Sequence, residues 1–447
     1  MILNRIAHLT LSISLLNLCA WANPTEIRAW KSTAGTAIEA SATKVVSGKV
    51  SMKSADGRML EVPMDKLSEE DRKFLVKHFG IKEAQPGDPK TSGVATVSDG
   101  LAHPIGQVSG PIDAGGGSHY YVYIPKTLRK WRDAPLMLHT GDDGGDADSA
   151  RKYSEAAELA GWIMASSVES KGNDWKTNLG HAKRCVKHLL ENLPIDKDRV
   201  YFTGESKGAN MAFNNSRSIN SVGTMPIIGY YTAGKLTGKQ YCYGISGTRD
   251  TDRYATASAV ALFEDRGFHR FHLGGHDPGP SWIGVEGILW LSGKYLGDRA
   301  QEPSLEGERM DFEASLIHWL NGLSVKEPHR AHCWCKFLTE EYKIRGANAP
   351  QVTKLLEKLN EDPTNARYTA GLAAIDAFSD GVYDTGNTVD AQTNHTTTAI
   401  QNGAENLAAS FRGVPLIEEI AKDLGLPTAR KGNSRTTAMP EEIFEEF

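Results

Sequence analysis

Asp198-Arg199-Val200-Tyr201-Phe202-Thr203-Gly204-Glu205-Ser206-Lys207-Gly208-Ala209-Asn210-Met211-Ala212 reads as a buried strand, then Gly-x-Ser-x-Gly, then the start of a helix. That order holds a serine on a sharp turn with its hydroxyl at the carboxyl edge of a sheet, and the flanking Gly204 and Gly208 let the backbone close up around it. The helix that follows brings its N-terminal dipole and the amide of Lys207, a donor for an oxyanion. By composition alone the pentapeptide arises about 0.3 times in a chain of this size, so its weight rests on the strand before it and the helix after it.

Outward from this turn, short apolar strands alternate with helical patterns from about residue 104, the signature of a largely parallel sheet. Tyr120–Ile124, Pro135–His139 and Trp162–Ala165 read as strands, and 149–160 and 176–192 as helices, the first stopping at Gly161. A serine needs a general base to become a nucleophile near neutral pH, normally a histidine oriented by a carboxylate. Downstream, the strand Gln240–Ser246 runs into Gly247-Thr248-Arg249-Asp250, and after a helix over 254–266 the strand Phe268–Leu273 opens into Gly274-Gly275-His276-Asp277. His276 is the expected base and Asp250 the expected acid, with Asp252 close enough to take the acid's place. His269 and His272, inside the strand, read as packed or surface residues, and Asp277, beside Pro278, as a turn residue.

The chain has 447 residues, 40% apolar and 23% charged, with a formal charge of −5, which excludes a disordered chain and gives no basic surface for nucleic acid. Its first 22 residues place Arg5 before an apolar run and end in Ala20-Trp21-Ala22, the layout of a signal peptide, so a secreted or periplasmic protein without a stable membrane span is expected. Removing them leaves Cys185, Cys242, Cys333 and Cys335, either paired in one of three ways or packed as thiols. Cys333-Trp334-Cys335, with His329 and His332, has the wrong spacing for a zinc knuckle, and neither metal nor cofactor is expected. Residues 27–79 alternate as strands at 37–40, 49–52 and 59–63, with a turn at Ala55-Asp56-Gly57-Arg58 and a short helix capped by Ser68, which fits a small β-barrel. Residues 80–103 read as a linker, 301–427 as a helical extension with helices at 306–320, 351–360, 366–379 and 415–424, and 428–447 as a mobile tail.

Two stretches carry resemblances. Arg28-Ala29-Trp30, Ala-Asp-Gly-Arg at 55–58, Val62-Pro63 and Leu67-Ser68-Glu69-Glu70-Asp71 resemble the Sla homology domain 1 family, which implies an SH3-like fold and a module that binds a peptide or protein. Leu138-His139 before a glycine-containing loop, Ile195–Tyr201 leading into the serine turn, and Gly274-Gly275-His276 make residues 104–300 similar to secreted α/β-hydrolases of the polyhydroxybutyrate depolymerase and feruloyl or acetylxylan esterase type. That resemblance implies an α/β-hydrolase fold and hydrolysis of carboxylic esters, on polysaccharide-linked or polyester substrates, through an acyl-enzyme. Ser206 would attack, His276 would move the proton, Asp250 would orient His276, and amides near Thr140 and Gly141 would join Lys207 in the oxyanion hole. The same three residues serve peptidases, and a hydrolase fold can also bind without cleaving.

This chain departs from its relatives in His139-Thr140-Gly141, where they carry His-Gly, and in the two acids that follow, Asp142 and Asp143. A negative charge beside a developing oxyanion opposes catalysis, so either these side chains point away or the site is impaired. Lys207 is a cation at a helix N-terminus, mildly unfavourable by the dipole, and is expected to meet an anionic group on a substrate such as a uronate ester.

Overall fold

A computed structural model describes residues 25–32, 36–46, 49–54, 58–78, 103–128, 133–171, 174–230, 240–384 and 398–426. The expected signal peptide, the turn at 55–57, nearly all of the linker and the tail lie outside the described residues. What is described falls into two compact units, residues 25–78 and 103–426.

In the first unit, β1 (Arg28–Lys31), β2 (Ala37–Val46), β3 (Lys49–Ser54) and β4 (Met59–Pro63) form an antiparallel sheet in chain order. A bridge between Ser32 and Leu67 adds to it. Alternation turns Trp30, Ala40, Ala42, Val50 and Met52 inward, and α1 (Glu69–His78) covers them with Leu75. Ser68 accepts from the Asp71 amide and donates to the Asp71 carboxylate, which also binds Arg28 at 2.8 Å.

In the second unit, β5 (Val108–Asp113), β6 (His119–Tyr123), β7 (Ala134–Thr140), β8 (Ile163–Ser167), β9 (Ile195–Glu205), β10 (Gly223–Ile227), β11 (Tyr241–Gly247) and β12 (Gly267–His272) form one sheet in the order β12-β11-β10-β9-β7-β8-β6-β5. The strands from β12 to β8 are parallel, and β6 and β5 are antiparallel additions. The period-2 alternation splits each central strand between two cores: Leu136, Leu138, Val200 and Phe202 face one side, Met137 and Tyr201 the other. The first side is covered by α4 (Trp175–Asn192) through Ala182, Val186 and Leu189 and by α5 (Lys207–Ser218) through Ala212. The expected helix over 149–160 is two helices, α2 (Ala147–Arg151) and α3 (Ser154–Ala160), interrupted where Tyr153 turns its ring into the core. Gly161 ends α3 in the left-handed conformation, φ 73°.

Beyond α6 (Arg253–Ala261), the second face is buried by α7 (Ser281–Asp298), apolar nearly all round, which separates the sheet from α8 (Glu306–Lys326), α9 (Pro328–Lys336) and α10 (Ala349–Asn360). Buried ion pairs join Arg199 of β9 to Glu308 of α8 at 2.6 Å and Glu286 of α7 to Arg330 of α9 at 2.9 Å. Phe271 of β12 joins α11 (Pro363–Asp384) and α13 (Ile417–Leu424) in a further cluster, with α12 (Thr398–Ser410) packed on α13. The four described cysteines are free thiols: Cys185, Cys242 and Cys335 are buried, and Cys333 lies 3.1 Å from the Thr369 hydroxyl. His332 bonds Thr369 and Asn360, and the His329 ring packs against that of Tyr368 at 4.4 Å, tilted by 57°. No helix among the described residues is long and apolar enough to cross a membrane.

Candidate active site

Chain order departs from sheet order between β7 and β9: from β7 the chain moves outward to β8, returns over β7 to β9, then runs the other way to β10. A crevice opens at the carboxyl ends of strands at such a reversal. Both loops that flank it carry candidate residues, Gly141–Gly145 after β7 and Ser206 after β9.

Ser206 adopts φ 56°, ψ −119°, a conformation that L-residues avoid, and it is held there by its amide donating to Ile227 O at 2.9 Å and its carbonyl accepting from Ala209 N at 3.0 Å. The turn is packed on Thr140, whose carbonyl oxygen would lie 2.2 Å from a Cβ on either Gly204 or Gly208. The Thr140 hydroxyl lies within hydrogen-bond distance of Thr203 O (3.3 Å) and Gly208 O (3.2 Å), so this side chain faces the scaffold. Gly141 runs beside Gly208, its Cα 3.2 Å from where a Gly208 Cβ would sit. Lys207 is the first residue of α5, where no carbonyl of the helix reaches its amide.

The His276 ring spans the other two residues, with Nε2 at 2.8 Å from Ser206 Oγ and Nδ1 at 2.9 Å from Asp250 Oδ1. Asp250 is fully buried and its Oδ1 also accepts from the Asp252 amide at 3.0 Å. Of the two acids, Asp250 therefore meets the imidazole in this hydrogen-bond chain, and Asp252 stands at the N-terminus of α6 with its carbonyl accepting from Thr256. Ligand-capable atoms of Asp250, Asp252 and His276 lie within 4.8 Å of one another, but both ring nitrogens of His276 already face Asp250 and Ser206. The two histidines of β12 make structural contacts: His269 Nε2 meets Ser246 Oγ at 2.8 Å, and both nitrogens of His272 face backbone carbonyls. Asp277 accepts from the amides of Gly275 and Gly279, which shapes the turn that carries His276.

The acids of the β7 loop end differently from one another. Asp143 is exposed, and Asp142 lies 3.4 Å from Lys207 Nζ. Lys207 and Asp142, separate irregularities in the sequence, form an ion pair in the fold, which offsets the negative charge on the loop after β7. Glu205, next to the serine, is similarly ion-paired with Lys152. A cavity of about 580 Å³ lies against β12, lined by Phe268, Trp290, Trp334, Phe337 and Leu372, apart from Ser206, Asp250 and His276.

Burial holds His139 neutral, lowering its pKa to about 4, and that of His269 to about 3. Unfolding restores an ordinary value of about 6.5, so the unfolded chain binds more protons as pH falls below about 6.5, and stability drops towards about pH 4. Urea unfolding should show a midpoint lower at about pH 4.5 than at about pH 7, with a smaller drop in His139→Gln; equal drops in both proteins would contradict this assignment.

The mixed, mostly parallel sheet, its helical layers and the serine turn at the reversal define an α/β-hydrolase-like fold. Residues 20–83 match the family SLA1 homology domain 1, SHD1. Among solved structures, the chain is similar to a hyperthermophilic esterase from the archaeon Pyrobaculum calidifontis, at 14% identity over 43% of this chain and 83% of that one, TM-score 0.34. It is also similar to an acetyl xylan esterase from Aspergillus awamori (16% identity, 40% and 100% covered, TM-score 0.33). A third is the fluorophosphonate-binding serine hydrolase F of Staphylococcus aureus (10%, 39% and 92%, TM-score 0.31). A comparison with curated protein sequences finds no match.

Proposed function

We propose that the chain is an exported serine hydrolase that cleaves carboxylic esters through an acyl-enzyme. The observation that carries this reading is the hydrogen-bonded chain Ser206–His276–Asp250, built on a serine held at positive φ. His276 Nε2 is placed to take the Ser206 proton as Oγ attacks the ester carbonyl, and Asp250 holds the Nδ1 proton and offsets the charge that forms on the ring. The carbonyl oxygen, becoming an oxyanion, would lie between the Lys207 and Gly141 amides. His276 then returns its proton to the departing alcohol, and water repeats the sequence in reverse on the acyl-Ser206 ester. The pairing of Lys207 with Asp142 supports an active rather than impaired oxyanion site, since the acid is compensated.

Esters on a polysaccharide or of a polyester are the proposed substrates, with the SHD1 domain as a module for a peptide or protein. Turnover of p-nitrophenyl esters of increasing acyl length by the full chain tests the reaction class. Hydrolysis that declines with acyl length and extends to acetylated xylan supports it, whereas no turnover of any ester by the folded protein contradicts it. N-terminal sequencing of protein exported from a bacterial host tests the location, with Asn23 as the expected first residue.

A further inference from the structure

The last described helix, α13, touches the candidate site's supports, though 175 residues separate it from the loop it meets. Thr248 lies within the acid loop, two residues before Asp250. Its hydroxyl lies 2.6 Å from Asp423 Oδ2 of α13, and the Gly274 amide, two residues before His276, donates to that hydroxyl at 3.3 Å. Thr248 N donates to His272 O at 2.9 Å and Arg249 N to Gly274 O at 2.8 Å, so the acid and histidine loops are laced together at this threonine. Their contact leaves no slack: a Cβ on Gly247 would lie 2.1 Å from Gly275 O. Arg249 Nε adds an ion pair to the same Asp423 oxygen at 3.1 Å, with Asp423 itself mostly buried.

A carboxylate in the last turn of a helix opposes the dipole, so Asp423 sits where an isolated helix disfavours it. Its partners lie on the acid loop, and α6, which follows that loop, holds the end of α13 in place. Arg253 Nη2 lies 3.3 Å from both Leu424 O and Leu426 O, and the Tyr254 hydroxyl lies 3.3 Å from Leu424 O, meeting carbonyls that have no partner within the helix. The apolar face of α13, Ile417, Ile420 and Leu424, packs with Phe271 of β12 and Tyr368 of α11, which sets the height of Asp423 over Thr248.

We propose that Asp423 is a positioning residue: through Thr248 it fixes the spacing between the loop that carries Asp250 and the loop that carries His276, so that the helical extension completes the relay. This inference rests on the serine-hydrolase reading. It predicts a loss in turnover rather than in substrate binding, because a shift of about 1 Å at a relay hydrogen bond costs on the order of 10²-fold in rate.

The test compares the full-length wild type with Asp423→Ala, Asp423→Asn and Thr248→Val. Turnover of p-nitrophenyl acetate should fall roughly 10- to 100-fold in Asp423→Ala and Thr248→Val with KM within about twofold, and Asp423→Asn, which keeps an acceptor, should recover most of it. A second readout, independent of activity, is the downfield proton on His276 Nδ1 in ¹⁵N-histidine-labelled protein, identified by its loss in His276→Asn. That signal should weaken or vanish in Asp423→Ala and return in Asp423→Asn. An Asp423→Ala protein with wild-type kcat and an unchanged Nδ1 signal overturns the positioning role. A folded wild type that turns over no ester overturns the serine-hydrolase reading instead, and the Nδ1 signal still reports whether Asp423 holds the imidazole.

Discussion

Ser206→Ala should lower kcat/KM on a p-nitrophenyl ester by about 10⁴- to 10⁶-fold while the protein stays folded. The hydroxyl is the attacking atom in the proposed reaction, and its removal leaves only the oxyanion donors and substrate binding. His276→Ala should cost nearly as much, since Nε2, 2.8 Å from Ser206 Oγ, is the group placed to take the proton. Combining the two should add little, because residues that act as one unit lose their function together. Asp250→Asn should cost about 10⁴-fold by presenting the wrong hydrogen-bonding partner to Nδ1. Stopped-assay kinetics on the three single variants and the Ser206→Ala/His276→Ala double variant, alongside thermal unfolding, measures this directly, and additive losses in the double variant would contradict a coupled relay.

The second large effect is on the fold. Gly208→Ala or Gly204→Ala places a methyl carbon 2.2 Å from Thr140 O, and at Gly204 also 2.4 Å from Gly208 O. Each obstacle is backbone, and the backbone concerned belongs to the central strand β7 and the serine turn itself, so no side chain can swing aside. Overpacking of this kind costs typically about 1–3 kcal/mol and more where the surroundings cannot shift, a large share of a domain's usual 5–15 kcal/mol. Both variants should lose several degrees in Tm or accumulate as insoluble protein, and whatever folds should be poorly active because relief requires Ser206 to move. Wild-type stability and turnover in Gly208→Ala would show that the turn is looser than the geometry allows.

Much of the fold was legible because it rests on local patterns. The strands around Tyr121, Met137, Val200 and Ile245 announce themselves by apolar runs, and the serine turn by two glycines whose spacing only close approach explains. β10 escaped because Pro226 argues against a central strand; in the sheet, β10 pairs with β11 on either side of it, at Thr224 and Ile227. α7 was hidden by Gly284, Gly287 and Gly293, which depress helix propensity yet let the helix lie close to Tyr153, Tyr243 and Phe337. The expected helix over 149–160 broke because tertiary packing of Tyr153 outweighs continuous helix pattern.

In the site, sequence order placed Ser206, Asp250 and His276 at strand ends, and the fold brings them into one hydrogen-bonded chain. The preference for Asp250 over Asp252 follows from its place just past the end of β11, whereas the pairing of Lys207 with Asp142 could not be read in advance. That pairing depends on side-chain direction at loop positions whose neighbours are distant in sequence. The same limit hid Asp423, which has no motif and gains a role only by lying across Thr248.

The most direct measurement is labelling of the full chain with a fluorophosphonate, followed by mass mapping of the adduct. A single adduct on Ser206, absent in Ser206→Ala and slow to form in His276→Ala, is the predicted result. A folded wild type that takes up no label, or takes it up on another residue, would contradict the proposal that Ser206 is an activated nucleophile.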